Sequence, residues 1–127
     1  VYFDVKIDAD FPTNEFKVAA NKEDLEEIFG NILENACKWS QKRVLIKIVK
    51  ENKEELRISI NDDGPGLPKK KRLEVFDRGF RLDEQTPGTG LGLNIVKDTL
   101  ENYSGKVWLE ESQIGGLEVN VLFPLSI

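Results

Sequence analysis

Residues 21–39 have the sequence NKEDLEEIFGNILENACKW, and this stretch predicts the longest helix of the chain. Its apolar residues recur at spacings of three and four, the period of one helix face; they are Leu25, Ile28, Phe29, Ile32, Leu33, Ala36 and Cys37. Asn21 is a favourable N-cap, and Asp24 at the third helical position supports the first turn. A helix with one apolar face needs an apolar surface to pack on, and the flanking strands must supply it.

Alternating apolar residues on both sides of this helix predict the strands of that surface. The predicted strands cover Phe3 to Ile7, Phe16 to Ala20, Val44 to Ile48, Leu56 to Ile60, Lys106 to Glu111 and Leu117 to Phe123. A short helix is expected to end near Phe76, and another to run from about Leu91 to Gly105. We therefore expect a single domain over residues 1–127. Its fold class is α+β, a two-layer sandwich with a mixed, mostly antiparallel sheet and about three helices on one face.

Composition excludes several classes of function. The net charge is −5 and the basic residues are scattered apart from Lys69 to Arg72, which argues against binding to nucleic acid or to a membrane surface. No histidine is present, so histidine triads, histidine zinc sites and an internal phosphohistidine are excluded. The single cysteine, Cys37, is interpreted as a core residue in a reducing compartment. Neither a membrane span nor a signal peptide is predicted.

Three polar residues form a stripe beside the apolar face of the first helix. Asn31, Asn35 and Lys38 stand at i, i+4 and i+7, so they share one side of the helix. Two carboxamide oxygens one turn apart can hold a hard cation such as Mg²⁺, and a lysine one turn further can neutralise phosphate oxygens. The alternative is a solvated polar flank.

Asp62-Asp63-Gly64-Pro65-Gly66 follows a predicted strand. A carboxylate at this place can accept a hydrogen bond from the exocyclic amino group of adenine, while the glycines permit a tight turn and a close approach of the backbone. The alternative is an ordinary turn, and Asp63 is the better candidate for a turn residue. Trp39 and Trp108 are interpreted as packing residues.

Gly88-Thr89-Gly90-Leu91-Gly92-Leu93 joins a polar loop to the last helix. Glycines at a helix N-terminus can cradle an anion with their N–H groups. A polar loop precedes this segment, so it does not fit a dinucleotide-binding fold, and the Walker A spacing is absent. In the preceding segment, Phe76 and Phe80 could anchor a loop or fill the core, whereas Arg78 could reach phosphates and Arg81 suits the surface.

In this order the segments resemble the nucleotide-binding boxes of sensor histidine kinases. Asn31 to Lys38 is similar to the N box, Asp62 to Gly66 to the G1 box, Val75 to Phe80 to the F box and Gly88 to Leu93 to the G2 box. The resemblance spans the whole chain and is strongest to PhoQ-type kinases. It implies the Bergerat ATP-binding fold, with residues 77–90 as the ATP lid.

The resemblance also implies a role for each motif residue. Asn31 and Asn35 would hold Mg²⁺, Lys38 and Arg78 the phosphates, and Asp62 the adenine. The implied catalytic residues are Asn31, Lys38 and Arg78. The implied ATP-binding set is Asn35, Lys38, Asp62, Gly64, Gly66, Phe76, Arg78, Gly88, Thr89, Gly90, Leu91, Gly92 and Leu93. One departure is Thr89, which stands where PhoQ-like lids can carry a glutamine.

The implied activity is an ATP-dependent protein-histidine kinase. ATPases of this superfamily have a glutamate at the position of Asn31 to activate water, and Asn31 cannot take a proton. The acceptor histidine would belong to a dimerisation domain outside this chain, and a response regulator would be the next partner. We expect a monomeric isolated domain and a homodimeric parent, membrane-anchored with this part in the cytoplasm. Two rivals are an anti-sigma-factor type serine kinase and a gyrase- or MutL-type ATPase clamp.

Overall fold

The computed structural model describes residues 6–10, 20–77 and 93–125, and it contains one five-stranded sheet. The strands run in the order β1-β2-β3-β5-β4 across the sheet, with β1 parallel to β2 and every other pair antiparallel. Their bounds are β1 Lys6–Asp10, β2 Arg43–Lys50, β3 Glu55–Asp62, β4 Lys106–Glu111 and β5 Leu117–Pro124. The predicted α+β fold with a mixed, mostly antiparallel sheet is therefore confirmed.

Two α-helices lie in the described part of the chain, α1 at Lys22–Trp39 and α2 at Leu93–Glu101. The short helix predicted to end near Phe76 is instead two 3₁₀ turns, Lys69–Lys71 and Glu74–Phe76, and neither has a side-chain cap. Segments of three residues are too short to close a stable α-helical turn, and the tighter 3₁₀ bond is the usual alternative. The predicted strand at residues 16–20 lies outside the described residues except for Ala20.

The core lies between one face of the sheet and the two helices. Alternate residues of β3 and β5 point to this face and pair in register, with Leu56 opposite Phe123 and Ile60 opposite Val119. From α1, Ile28 and Ile32 are fully buried against it. The rings of Phe29 and Phe123 stand 6.1 Å apart between their centroids, so the helix and the strand are in direct contact.

A polar clasp fixes the start of α1. The side chain of Asn21 accepts a hydrogen bond from the backbone N–H of Asp24 at 2.8 Å, as predicted for an N-cap. The Tyr103 hydroxyl donates to the Asp24 carboxylate and accepts from the Asn21 N–H at 3.3 Å. Because Tyr103 follows α2, this clasp joins the two helices and sets the direction of α1 across the sheet.

Cys37 packs against the core, as predicted, and burial raises the pKa of its thiol. A raised pKa keeps the thiol protonated and therefore unreactive. Within the described ranges, neither helix is both long and apolar enough to cross a bilayer.

Candidate functional site

A cavity of about 250 Å³ opens where α1, the end of β3 and the start of β5 meet. Its residues are Trp39, Asp62, Pro65, Gly66, Leu67, Pro68, Lys71 and Leu117. The walls are mainly apolar, and Asp62 supplies a carboxylate at one side. The volume is just below the range of about 300–1,000 Å³ typical of small-molecule pockets, which suits one planar end of a larger ligand.

The carboxylate of Asp62 is held in place by backbone donors. Its Oδ1 atom accepts hydrogen bonds from the N–H groups of Gly64 at 2.9 Å and Leu117 at 3.2 Å. Asp62 is only 5% exposed, and its second carboxylate oxygen, Oδ2, accepts neither of these two bonds. Oδ1 thus bonds to the backbone of the fold, and Oδ2 is available to accept a hydrogen bond from a ligand.

Burial raises the pKa of Asp62 above its ordinary value, because a carboxylate loses its hydration inside the fold. The N–H groups of Gly64 and Leu117 oppose this shift, and the charge of Asp63 adds to it. A buried carboxylate that lacks a cationic partner is costly, and such groups concentrate at functional sites.

Asp63 has a structural role, as predicted for a turn residue. Its carboxylate accepts hydrogen bonds from the backbone N–H groups of Gln41, at 2.7 Å, and Lys42. Burial by itself raises the pKa of Asp63, but these donors, with the N–H groups of Arg43 and of Asp63 itself, outweigh it and lower the pKa. Asp63 therefore ties the end of β3 to the turn before β2 and points away from the cavity residues.

Two glycines allow the backbone to close around Asp62. A β-carbon on Gly64 would overlap the carbonyl oxygen of Trp39, and one on Gly116 would overlap Asp62 Oδ1. Gly66 adopts a φ of 72°, in the left-handed region that favours glycine. Gly64 and Gly66 were predicted to permit a tight turn and a close approach of the backbone, whereas Gly116 was not among the predicted site residues.

The polar stripe of α1 leads away from this cavity along the helix. Asn31, Asn35 and Lys38 are half-buried, while the adjacent Glu34 is exposed. Trp39 in the cavity wall lies four residues after Asn35 and eight after Asn31, which corresponds to about 6 Å and 12 Å along the helix axis. The stripe thus extends from one end of the cavity over a length that suits a triphosphate.

The orientation of Asn31 fits a role as a metal ligand. Its amide nitrogen donates to the backbone carbonyl of Glu27 at 2.9 Å, which turns the carboxamide oxygen away from the helix backbone. In the part of the chain that the structure describes, no group of three or more His, Cys, Asp or Glu side chains could hold a metal on its own. A divalent ion at this place would therefore need carboxamide oxygens together with oxygens of its ligand, the kind of site that Mg²⁺ favours.

The remaining predicted residues divide into two groups. Phe76 packs against the core, and the Leu93 side chain is only 5% exposed within it, so only the backbone of Leu93 could face a ligand. The other residues of the predicted lid and G2 segment lie outside the described ranges: Arg78, Phe80, Arg81, Gly88, Thr89, Gly90, Leu91 and Gly92.

Five cavity-lining residues lie outside the sequence motifs, and so does the neighbouring Gly116; the five are Trp39, Leu67, Pro68, Lys71 and Leu117. Trp39 was interpreted as a packing residue, but it lines the cavity, and its buried indole Nε1 atom has no hydrogen-bond partner in the described part of the chain. Lys71 and Leu117 lie in the same wall, and Gly116 donates its N–H to the carbonyl of Asp62 at 3.1 Å. The pairing of β3 with β5 brings Leu117 and Gly116 to Asp62; the Gly115-Gly116 pair was the only signal in the sequence.

The comparisons with known proteins agree on one family. Residues 20–127 match the model of the family described as histidine kinase-, DNA gyrase B- and HSP90-like ATPase. The chain is 45% identical over 105 residues to the sensor protein kinase CarS of Pseudomonas aeruginosa, covering 83% of the chain and 23% of CarS. It is 40% identical over 109 residues to the sensor protein PhoQ of Escherichia coli K12, covering 86% of the chain and 22% of PhoQ.

Solved structures show the same architecture. The mycobacterial sensor histidine kinase MprB aligns with a TM-score of 0.86 and 28% identity, over 98% of this chain and 84% of that one. Full-length ShkA in complex with AMPPNP aligns with a TM-score of 0.83 and 25% identity, over 96% of this chain and 26% of that one. The chain thus spans about a quarter of the length of the curated sensor kinases that it matches.

Proposed function

Because the chain belongs to the histidine kinase-, DNA gyrase B- and HSP90-like ATPase family, we propose that it is the ATP-binding catalytic domain of a sensor histidine kinase. In this proposal it transfers the γ-phosphate of Mg·ATP to a histidine on a separate dimerisation domain. Family membership implies ATP binding. The observation that carries the proposal is the buried carboxylate of Asp62 at the wall of a mainly apolar cavity.

Adenine complements this cavity. Its exocyclic amino group is a donor for the free oxygen of Asp62, and its flat apolar faces suit walls made of Trp39, Leu67 and Leu117. Guanine carries a carbonyl oxygen in place of the amino group, so a carboxylate at Asp62 would repel it.

The polar stripe of α1 suits the triphosphate end of the nucleotide. Mg²⁺ bound by the carboxamides of Asn31 and Asn35 would neutralise charge that builds up on the phosphate oxygens. Lys38 lies on the same stripe and adds a positive charge, and Arg78 is proposed to do the same from the lid at about residues 77–90. The N–H groups of Gly88 to Gly92 are proposed to cradle the phosphates at the start of α2.

The residues of this chain position the nucleotide and leave the nucleophile to a partner. Asn31 is an amide and cannot remove a proton from water, which disfavours hydrolysis. In the proposed step, a neutral imidazole nitrogen forms the new N–P bond with its lone pair. The bond from the γ-phosphorus to the bridging oxygen breaks, and ADP leaves with that electron pair.

Asp62→Asn should abolish ATP binding while preserving the fold. The amide oxygen can still accept from the N–H groups of Gly64 and Leu117, but the amide nitrogen then faces the adenine amino group, and two donors cannot pair. We expect ATP affinity to fall at least about a hundredfold, as for a mismatched buried hydrogen bond to a charged group. Calorimetry measures the affinity, and circular dichroism reports the fold.

Asp63→Asn is the matched control, because it changes the neighbouring carboxylate in the same way. Its bonds go to Gln41 and Lys42, so ATP affinity should remain within about twofold of the wild type while stability falls by roughly 1 kcal/mol. Equal losses of affinity in both variants, or none in Asp62→Asn, would contradict the assignment of Asp62 to adenine.

Phosphate transfer has its own test. The chain is mixed with Mg·ATP and a separately produced helical fragment that carries the acceptor histidine. We expect acid-labile, alkali-stable phosphate on the fragment, since phosphoramidates hydrolyse in acid. Asn35→Ala should reduce transfer by about 10- to 100-fold and weaken the Mg²⁺ dependence of ATP binding, whereas Glu34→Ala, on the exposed side of the helix, should leave both unchanged. Inorganic phosphate release without labelling of the fragment would favour an ATPase clamp.

The length of the relatives suggests where the partners are. Since the chain covers about a quarter of CarS and PhoQ, we propose a longer parent protein that supplies the histidine-bearing domain and is a homodimer. A response regulator would then receive the phosphate. The proposed parent is membrane-anchored, with this domain on the cytoplasmic side.

A further inference from the structure

A second cavity, of about 350 Å³, lies behind the loop that forms one wall of the purine cavity. Residues 65–68 line both cavities. The far side of the second cavity is formed by Glu111 and the Gly115-Gly116 turn between β4 and β5. Residues 65–68 are therefore a wall common to both cavities, called the partition below.

Two cations line this second cavity, Lys69 and Arg72, against a single carboxylate, Glu111. The Nε atom of Arg72 is fully enclosed, and it has no hydrogen-bond partner among the described residues. Within residues 20–77 and 93–125, no ion pair joins Lys69 or Arg72 to Glu111. A buried guanidinium donor without an acceptor is unfavourable, and buried polar groups in folded proteins normally have partners.

We propose that this second cavity binds a small oxyanion, such as phosphate or a carboxylate group, between Lys69 and Arg72. Guanidinium groups bind such anions through two parallel N–H···O bonds, and in this proposal a rotation of the Arg72 side chain brings its Nε–H to the anion as one donor of that pair. Lys69 supplies the second positive charge from the preceding 3₁₀ turn. The anion would satisfy the donor that the fold leaves unpaired.

Binding in the second cavity should tighten binding in the first. An anion that bridges Lys69 and Arg72 fixes both residues that follow the partition, and so restricts the movement of residues 65–68. If the anion has already ordered residues 65–68, these residues lose less conformational entropy when the purine binds. The two ligands therefore bind with positive coupling. The coupling is reciprocal, since each ligand raises the affinity of the other by the same factor. This part of the inference depends on the proposed ATP site, whereas anion binding itself does not.

Inorganic phosphate is the probe for the anion site, titrated at constant ionic strength with chloride as the balancing anion. The readout is the ¹⁵N–¹H signal of the Arg72 Nε–H group, identified by its loss in Arg72→Lys. We expect a saturable downfield shift, because a charge-assisted hydrogen bond deshields the proton. Lys69→Met should weaken phosphate binding by about tenfold, the scale of one hydrogen bond to a charged group.

Lys70→Met is the matched control, since Lys70 is exposed, belongs to the same 3₁₀ turn and lines neither cavity. It removes one positive charge and should leave phosphate affinity unchanged. A shift that does not saturate, or equal weakening in Lys69→Met and Lys70→Met, would overturn the site by showing general screening alone.

Adenosine tests the coupling, because it has no phosphate that competes with the probe. Saturating phosphate should tighten adenosine binding by about fivefold in the wild type and in Lys70→Met, and should have no effect in Lys69→Met. If adenosine fails to bind at all, the proposed ATP site is wrong, while the Arg72 signal still reports on the anion site. If adenosine binds equally well with and without phosphate in the wild type, the coupling is absent.

Discussion

At the scale of single residues, Asp62 meets opposing demands of stability and function. Its carboxylate is buried, which raises its pKa, and within the described residues only backbone N–H groups are seen to compensate it. An uncharged side chain of the same shape would fit this place at lower cost. In the proposed function the adenine amino group requires a charged acceptor, so the site proposed for recognition is one that reduces stability.

This conflict predicts how stability changes with pH. The pKa of Asp62 in the folded chain is raised above its ordinary value of 3.8. At pH values between these two pKa values, the folded state therefore holds a proton that the unfolded state has already lost. The contribution of Asp62 to stability is therefore present at or below the ordinary pKa and is lost as pH rises through the folded-state pKa. Asp62→Asn, which is neutral throughout, should gain stability relative to the wild type as pH rises above the ordinary pKa of 3.8.

Urea unfolding of the two proteins across this range measures the difference directly. Groups that titrate identically in both proteins cancel in the comparison. A constant difference at every pH would mean that the carboxyl group of Asp62 titrates as it does in the unfolded chain.

The sequence motifs predicted candidate site residues on the surface of α1, but they did not predict the residues that form the walls of the cavity. Asn31, Asn35 and Lys38 follow from helical spacing alone, which is a local property. Trp39 was assigned to packing because nothing in the sequence distinguishes an aromatic residue in a cavity wall from one in the core. Only the position of the loop at residues 62–66 against the end of α1 separates the two cases.

At the scale of elements, the turn between β4 and β5 supports the site. Ser112 donates its hydroxyl to Asn61 Oδ1 at 2.8 Å and accepts the N–H of Ile114 at 3.2 Å, and the Gly116 N–H reaches the carbonyl of Asp62 at 3.1 Å. The turn is thereby fixed to the last two residues of β3. It holds Asp62 in place from the side opposite α1.

Gly116→Ala should disturb this support, because the added methyl group would overlap Asp62 Oδ1. We expect a loss of about 1–3 kcal/mol in the free energy of unfolding, as for other overpacked sites, and at least a tenfold loss of ATP affinity. Gly30→Ala is the control: its added methyl group meets no atom within 4 Å, and Gly30 lies exposed inside α1. It should raise stability by about 1 kcal/mol and leave ATP affinity unchanged.

Chemical denaturation and calorimetry give the two quantities for each variant. If Gly116→Ala binds ATP as tightly as the wild type, the turn does not position Asp62.

Elements with a local signal were predicted well, and those that depend on distant contacts were not. The N-cap at Asn21 and the strands predicted at residues 44–48, 56–60, 106–111 and 117–123 agree with the structure because capping and periodicity are encoded within a few residues. The 3₁₀ turns at residues 69–76 differ from the predicted helix because that segment lacks both length and a cap. The neighbouring position of β3 and β5, 55 residues apart between Asp62 and Leu117, is a long-range pairing that no local pattern specifies.

At the scale of the whole molecule, the two faces of the sheet differ in chemistry. The face without helices carries a polar network centred on Asn120, which is fully buried on β5. Arg57 donates a hydrogen bond to the side-chain oxygen of Asn120 at 3.2 Å. The side-chain nitrogen of Asn120 donates to the carboxylates of Glu118 at 2.9 Å and Glu110 at 3.2 Å. All polar atoms of the side chain are thus paired across three adjacent strands. The alternating sequence of β5 indicated an outward position for Asn120 but could not predict its burial.

The polar stripe of α1 and Trp39 in the cavity wall belong to one uninterrupted helix, and this constrains which changes in length the helix can accept. Each inserted or deleted residue rotates everything beyond it by about 100° around the axis. A single-codon length change between Asn31 and Trp39 would therefore turn one end of the stripe away from the other, even if every motif residue were retained. Lineages that keep nucleotide chemistry should vary the length of the β2–β3 turn freely, at residues 51–54, and preserve the count within α1.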